Sequence, residues 1–213
     1  MATLVLLAPQ GAEYQAVRQG AARPPVAIAM GKAAVAQLDA LQPNPPSSVI
    51  LLGLAGGLGP TQQPGDVVVC DKWVTARGKQ LACPMAAEVR RTLGAGGFAT
   101  AGGTGLTSDR VICAAQEKQR LSQHYGTTIV DMEGYWVLAR LKEMEIPAAV
   151  VRVVSDGADG DIPDISTAVG PDGALRPLAL AKQMGRSPLA ALRLIRGSMR
   201  GLAVLRQVAA KLS

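Results

Sequence analysis

The chain has 213 residues, which fits one domain and is enough to bury a full-sized core. Three cysteines without CxxC spacing and one histidine, His124, argue against a zinc site, a disulfide framework and a nucleophile activated by histidine. Aromatic residues make up 3% of the chain, which argues against stacking on single-stranded nucleic acid. No uncharged run approaches the roughly 20 residues that a membrane-spanning helix needs.

The net charge of +6 is concentrated near the C-terminus. Residues 174–213 contain eight basic residues and no acidic one, so the remainder has 14 basic and 16 acidic residues, a net charge of −2. The apolar start, Met1–Pro9, lacks a basic n-region and is predicted to be a buried strand rather than a signal peptide. Together with the free thiols, this predicts a cytoplasmic protein.

Short apolar runs bounded by Gly and Pro alternate with helical patterns along the chain, which predicts an α/β fold with a mostly parallel sheet flanked by helices. Strands are predicted near residues 4–8, 26–30, 49–54, 66–71, 100–106, 128–132 and 148–155. Helices are predicted near residues 13–19, 32–41, 114–124, 133–144 and from 188 to about 211. A single domain over residues 1–213 is expected, and its ligand should bind at the carboxyl ends of the strands.

The strand near 49–54 leads directly into the glycine-rich turn Gly53-Leu-Ala-Gly-Gly. Glycine allows close backbone approach, so this turn could offer backbone N–H groups to a ligand. The pattern is neither a P-loop nor GxGxxG, and on its own it favours an ordinary tight turn between a strand and a helix.

Two carboxylates, Asp131 and Glu133, end the strand near 128–132. Alternation along a strand predicts that they project to the same side, unless the chain turns as the helix begins. Glu133 could also simply stabilise the positive end of that helix.

Arg152 lies inside the otherwise apolar strand 148–155, where an unpaired guanidinium would be costly. It should therefore have an acidic partner, for which Glu133 is a candidate. Ser155 and Asp156 end this strand, and an Asp that caps the next turn is the simpler alternative for Asp156.

The Gly-x-Ala-Gly-Gly turn, the segment Val130-Asp-Met-Glu-Gly and the segment Arg152-x-x-Ser-Asp together resemble the purine nucleoside phosphorylase and methylthioadenosine/adenosylhomocysteine nucleosidase superfamily. The likeness covers nearly the whole chain in the same order. The early Glu13, the segment 168–177 and the basic tail look most like its hopanoid-associated branch, which is implicated in removing adenine from adenosylhopane. The resemblance implies the three-layer phosphorylase/hydrolase-like fold and a homodimer.

The resemblance also implies roles for individual residues in cleaving a purine N-glycosidic bond. Asp156 would protonate N7 of the base, and its pKa should be raised by an apolar or anionic setting; Ser155 would orient it. Glu133 would bind the ribose 2′-hydroxyl and Glu13 would activate the attacking water. The remaining expected contacts are packing of Met132 on the ribose, fixing of Glu133 by Arg152, and pocket borders formed by Ala55, Gly56 and Val111.

Two departures from the family pattern favour water over phosphate as the nucleophile. Leu54 stands where relatives often carry serine, and no arginine precedes the glycine turn. Phosphate sites favour clustered arginines, and only Lys32 and Arg110 are candidates here. No metal is expected, and no cofactor apart from inorganic phosphate if the enzyme is a phosphorylase.

A helical wheel from Leu189 onward groups Arg193, Arg196, Arg200 and Lys211 within about 60°. Opposite them it places an apolar face that would cover the sheet, formed by Leu192, Ile195, Met199, Leu202 and Leu205. A basic amphipathic helix could instead contact an anionic membrane, which would suit a lipid-linked substrate.

Several functions remain open at this point. Within the superfamily these are an adenosylhopane nucleosidase, a methylthioadenosine/adenosylhomocysteine nucleosidase and a phosphate-dependent phosphorylase. Outside it they are a non-catalytic nucleoside-binding protein, and a membrane-surface or nucleic-acid-binding module driven by the basic tail. The paired carboxylates favour the enzymes, and no nucleic acid is expected as a partner.

Overall fold

A computed structural model describes residues 3–164 and 184–213, and within them it contains one ten-stranded sheet with helices packed against it. The strands are β1 (Leu4–Pro9), β2 (Val26–Ile28), β3 (Ser48–Gly57), β4 (Val67–Val69), β5 (Lys72–Thr75), β6 (Gln80–Ala82), β7 (Thr100–Ala101), β8 (Thr104–Thr107), β9 (Ile129–Asp131) and β10 (Ala148–Asp156). The α-helices are α1 (Ala12–Gly20), α2 (Ala34–Leu38), α3 (Ala86–Ala95), α4 (Ala115–Tyr125), α5 (Gly134–Glu143) and α6 (Pro188–Leu212).

The sheet is mixed and mostly parallel, as the sequence predicts. Its main path runs β6-β5-β8-β9-β3-β10-β4-β7, and β1 joins it by pairing with β3 and β2. The antiparallel pairs are β10 with β4, β3 with β9, and β5 with β6; every other described pairing is parallel. The α/β class with a mixed sheet flanked by helices is therefore confirmed.

The core lies around the two central strands. β3 is almost wholly apolar, and every residue of β10 is buried, so both strands are covered on both faces. Such continuous apolar runs are typical of the interior strands of a parallel sheet. Because β3 and β10 are direct neighbours, the glycine-rich end of β3 lies beside the Ser155-Asp156 pair.

Several predicted elements differ from the structure. The helix expected at 32–41 is a short α2 flanked by two 3₁₀ turns, Gly31–Ala33 and Asp39–Leu41. The strand expected at 66–71 is confined to β4, and the strand expected at 100–106 is interrupted at Gly102 and Gly103. Elements β5, β6 and α3 had no counterpart in the prediction. The segment 168–177, which supports the closer resemblance, lies outside the described residues.

The C-terminal helix α6 confirms the predicted start at residue 188, but it packs on a different face from the one predicted. Its buried residues are Ala191, Gly197, Gly201, Leu205, Val208, Ala209 and Leu212. Of the predicted apolar face, only Leu205 is buried, whereas Leu192, Ile195 and Met199 are exposed. The face of α6 that contains glycine packs on the sheet because the backbones approach closely there: a Cβ at Gly197 would collide with the carbonyl oxygen of Ser155. The close approach seats α6 directly against the end of β10.

Candidate active site

A cleft of about 420 Å³ opens at the carboxyl ends of β3 and β10. This volume falls in the range of about 300–1,000 Å³ that is typical of small-molecule sites. The predicted site residues that line it are Glu13, Ala55, Gly56, Val111, Met132, Glu133, Ser155 and Asp156. Arg152 lies behind the lining, where it contacts Glu133. The structure thus brings together the residues that the sequence singled out in three separate segments.

Strand register explains why these segments meet. Ala55 and Gly56 on β3 pair with Val154 and Asp156 on β10. On its other side, Gly56 pairs with Val130 on the antiparallel β9, immediately before Asp131. The glycine-rich segment 53–57 is therefore not the turn that the sequence predicts. Pairing on both sides keeps it in strand conformation as the last part of β3, between the two acidic segments.

Arg152 is fully buried and is the centre of an ion-pair cluster. Its Nε and Nη2 both donate to Oδ2 of Asp131, over 3.0 and 2.5 Å, and Nη2 also donates to Oε1 of Glu133 over 2.7 Å. The predicted Arg152–Glu133 contact is confirmed, but Asp131 is an equally close partner. Although burial lowers the pKa of Arg152, the carboxylates of Asp131, Glu133 and Glu13 outweigh it and raise that pKa overall.

Asp131 is an anchor whose hydrogen bonds are all internal to the protein. Its Oδ1 accepts a bond from the hydroxyl of Thr107 over 2.7 Å, and its Oδ2 accepts one from the backbone N–H of Gly134 over 2.8 Å. Together with the bonds from Arg152, these contacts occupy both oxygens. Asp131 therefore fixes the guanidinium and the start of α5, and leaves ligand contact to Glu133.

The two carboxyl oxygens of Glu133 differ in their hydrogen bonding. Oε1 accepts from Arg152, whereas the only described contact of Oε2 is a long one of 3.5 Å from the backbone N–H of Gly31. Burial, opposed by Arg152, raises the pKa of Glu133 to about 8. Burial thus favours the protonated form of Glu133 in the ligand-free protein, and the residue lines the cleft.

Glu13 and Arg152 converge on the position of Gly53. Oε1 of Glu13 accepts a 2.5 Å hydrogen bond from the backbone N–H of Leu54, and it lies 2.7 Å from the point that a Cβ of Gly53 would occupy. Nη1 of Arg152 approaches the same point and has no hydrogen-bond partner among the described residues. Burial raises the pKa of Glu13 as well. A carboxyl and an unused N–H donor therefore lie close together at the buried end of the cleft.

The surroundings of Asp156 differ from the sequence-based expectation. Its Oδ1 accepts a 2.6 Å bond from the hydroxyl of Ser155, as predicted, but its Oδ2 forms an ion pair with the ammonium of Lys118. The expected apolar or anionic setting is therefore wrong, since the nearest charge is a buried cation. The sequence offers no signal for Lys118, which sits in the polar stretch Ala115–Tyr125 and follows no strand.

The two candidate cations for phosphate are both engaged elsewhere. Lys32 pairs with Asp109 over 3.1 Å and lies 4.5 Å above the ring of Trp136. Arg110 lines the cleft but pairs with Glu117. Among residues 3–164 and 184–213, no group of His, Cys, Asp or Glu is arranged to hold a metal ion.

Helix α6 supplies an apolar wall of the cleft. Its residues in the lining include Leu194, Ile195, Met199 and Leu202. Ile195 and Met199 also belong to the exposed apolar surface of α6, which extends to Leu189 and Leu192. The cleft thus combines carboxyl groups with an apolar wall that continues to the protein surface.

Comparison with known proteins places this architecture in a family. The profile of the phosphorylase superfamily matches residues 5–184. Among solved structures, the fold is similar to futalosine hydrolase of Helicobacter pylori strain 26695, with a TM-score of 0.66 and 13% identity over 93% of this chain and 98% of that one.

Two solved nucleosidases are similar over almost their whole length. The 5′-methylthioadenosine/S-adenosylhomocysteine nucleosidase of Campylobacter jejuni matches with a TM-score of 0.69 and 11% identity over 97% of this chain and 98% of that one. The Helicobacter pylori enzyme of the same name matches with a TM-score of 0.67 and 13% identity over 98% and 97%. The chain belongs to the phosphorylase superfamily, and it is an enzyme of the nucleosidase or phosphorylase type.

Proposed function

We propose that the protein hydrolyses the N-glycosidic bond of an adenine nucleoside and releases free adenine. One observation carries this proposal: the carboxyl groups of Glu13, Glu133 and Asp156 line a single cleft, with Glu13 beside Gly53 and Asp156 beside Gly56 along β3. Such a cleft can hold a ribose beside one acidic group and a base beside the other. The proposed reaction needs no cofactor.

Asp156 acts on the base in this mechanism. It gives a proton to N7, which makes the departing adenine neutral. The hydrogen bond from Ser155 fixes the orientation of its carboxyl group. Neutralising the leaving group is the main requirement of glycosidic cleavage, so loss of the Asp156 carboxyl should be among the most damaging changes.

Glu133 and Met132 act on the ribose. The nearly free Oε2 of Glu133 contacts the 2′-hydroxyl, and this bond strengthens as positive charge develops on the sugar. Arg152 holds the other oxygen of Glu133 in place. Met132, which lines the cleft beside Glu133, packs against the sugar ring, and Val111 borders the pocket from the loop before α4.

Water, rather than phosphate, is the proposed nucleophile. Glu13, which lines the cleft, accepts the proton of the attacking water. Phosphate would need cationic donors in the cleft, but Arg110 there is paired with Glu117, and Arg152 lies behind the lining, where it pairs with Asp131 and Glu133.

The proposed substrate carries a large apolar group on the ribose 5′ position, as adenosylhopane does. Support comes from the apolar wall of α6, which continues from the cleft to side chains that are 82% exposed at Leu189 and 67% exposed at Met199. Exposed apolar side chains that adjoin a ligand cleft mark a binding surface. The alternative is a methylthioadenosine/adenosylhomocysteine nucleosidase, which the similar solved structures of that name favour; its compact substrates would leave the outer part of this surface uncovered.

Because the proposed substrate is linked to a lipid, we also propose that α6 contacts an anionic membrane. The exposed Arg193, Arg196 and Arg200 lie on α6 among its exposed apolar residues, which are Leu189, Leu192, Ile195 and Met199. None of the described helices is long and apolar enough to cross a membrane. The proposed location is the cytoplasm, with α6 in contact with a membrane surface. A homodimer remains a prediction from the family resemblance, which sedimentation velocity would test.

The experiment is to incubate the protein with adenosylhopane, methylthioadenosine and adenosylhomocysteine, each with and without inorganic phosphate, and to quantify adenine and ribose 1-phosphate. We expect phosphate-independent adenine release, fastest with adenosylhopane. Asp156→Asn is the matched control, since it preserves size and removes the acid. Formation of ribose 1-phosphate would show a phosphorylase, and preference for a compact substrate would favour the alternative.

A further inference from the structure

Lys118 is an unusual residue for α4 to bury. It is fully buried, and it is the only buried residue of this otherwise solvated helix. Taking an ammonium group out of water is expensive unless it is paired and hydrogen-bonded. A helix that needed only to pack would bury an apolar residue here, so the lysine points to a need for its charge.

The ammonium of Lys118 is directed at the acid of the site. It pairs with Oδ2 of Asp156 and donates to the carbonyl of Gly157 over 2.8 Å. Lys118 is not among the residues that line the cleft, whereas Asp156 is. The lysine therefore touches Asp156 from the side away from the substrate and can act on the reaction only through it.

No second charge competes for Lys118 among the described residues around it. On its own helix, Glu117 pairs with Arg110, and Gln119 is bonded to the carbonyl of Ala158. From β3, the Cε of Lys118 lies 3.8 Å from the point that a Cβ of Gly56 would occupy, and the apolar Val130 of β9 lies beside the same point. Two acids of the turn after β10 are directed elsewhere: Asp159 lies against Gly157, and Asp161 accepts the backbone N–H of Ala115.

We propose that Lys118 is a positioning residue for proton transfer, which holds Asp156 and stabilises the carboxylate that remains once its proton has been given to the base. The inference rests on the proposed function. In the step, the O–H bond of Asp156 breaks and an N–H bond forms at N7, while the electron pair of the glycosidic bond moves to the base. The negative charge left on Asp156 lies against Lys118. Water adds its hydroxyl to the sugar and gives its proton to Glu13, and solvent returns the proton to Asp156.

The pH profile of activity distinguishes this role from packing. Removing a charge that lies against the acid changes the profile, whereas loss of packing alone does not.

The experiment measures kcat and KM for adenine release from about pH 5 to about pH 9 in the wild type, Lys118→Met and Lys118→Gln. Gln keeps N–H donors for Asp156 and Gly157 but lacks the charge. In both variants, we expect the decline of activity on the alkaline side of the pH profile to occur about one pH unit higher than in the wild type. We also expect kcat on the acidic plateau to be lower by about tenfold or more, with little change in KM. Gln119→Leu, which removes another hydrogen bond from α4 to the same turn, should change neither.

A second measurement does not depend on turnover. Carbon-13 spectra of aspartate-labelled protein, with the Asp156 signal assigned by its loss in Asp156→Asn, should show that carboxyl becoming protonated at higher pH in Lys118→Gln than in the wild type. Wild-type protein that releases no adenine from any nucleoside would refute the proposed function. Identical carboxyl titrations in wild type and Lys118→Gln, or identical pH profiles of activity, would overturn the role of Lys118.

Discussion

The guanidinium of Arg152 binds Oδ2 of Asp131 through two of its nitrogens, Nε over 3.0 Å and Nη2 over 2.5 Å. Both side chains are buried, and the same Nη2 reaches on to Glu133. This cluster joins the middle of β10 to the end of β9 and the start of α5. Arg152 therefore supports the fold, and it also orients Glu133, the proposed ribose contact.

Replacing Arg152 by Met should destabilise the protein by about 3–5 kcal/mol, because it leaves buried carboxyl groups without their counter-charge. Urea denaturation measures the change. Arg140→Met is the matched control: Arg140 also binds two acids, Asp39 and Glu143, but these lie at the surface. Its loss should cost no more than about 1 kcal/mol. Equal losses for the two variants would contradict the buried cluster as a source of stability.

Glu133 should make the stability of the protein depend on pH. Burial raises its pKa to about 8 from an ordinary value of 4.5, so the folded state retains a proton that the unfolded state releases. The contribution to stability is full below about pH 4.5 and is lost as the pH rises towards 8. As the pH rises through that range, the free energy of unfolding of the wild type should therefore fall by on the order of a few kcal/mol relative to that of Glu133→Gln. Parallel stability–pH curves for the two proteins would contradict the raised pKa.

Gly53 should tolerate no side chain, because a Cβ there would collide with Nη1 of Arg152 and lie 2.7 Å from Oε1 of Glu13. We expect Gly53→Ala to cost about 1–3 kcal/mol of stability through overpacking and to reduce kcat strongly by displacing Glu13. Gly94→Ala is the control, since a Cβ at Gly94 in α3 meets nothing within 4 Å. That change should stabilise the protein by about 0.5–1 kcal/mol.

Gly197 should control the apolar wall of the cleft. A Cβ at this position would meet the carbonyl oxygen of Ser155 and push α6 away from β10. Gly197→Ala should therefore raise KM for a nucleoside with a large apolar substituent and lower the thermal midpoint of unfolding. Gly185→Ala, where a Cβ meets nothing within 4 Å, should leave both unchanged. An unaltered KM in Gly197→Ala would mean that the wall does not contact the substrate.

Membrane contact is best tested without deleting α6, because its buried face packs on the core. The double variant Leu189→Gln, Met199→Gln changes only exposed side chains, and it should cosediment less with vesicles of phosphatidylglycerol and phosphatidylcholine than the wild type does. Ala210→Gln, an exposed change at the far end of the same helix, is the control. Equal cosedimentation of all three proteins would refute the membrane contact.

The sequence predicted the fold class and brought the right segments together because strong apolar runs ended in polar residues. An arginine inside β10 required an acidic partner, and that reasoning found Glu133. It did not find Lys118, because the burial of one lysine among the polar residues of α4 depends on long-range packing against β10. Likewise, the wheel misplaced the packed face of α6, because close approach to the sheet favours glycine over leucine. The short strands β5 and β6 carry too few residues for a period to be recognised.

The proposed function requires Asp156, Glu133 and Glu13 to act together in the hydrolysis of an adenine nucleoside. The decisive measurement is adenine release from adenosylhopane in phosphate-free buffer, for the wild type and for Asp156→Asn. We expect rapid release by the wild type and a loss of about 100-fold or more in Asp156→Asn, since a positioned acid contributes about that much or more. Equal rates for the two proteins, or release only after phosphate is added, would contradict it.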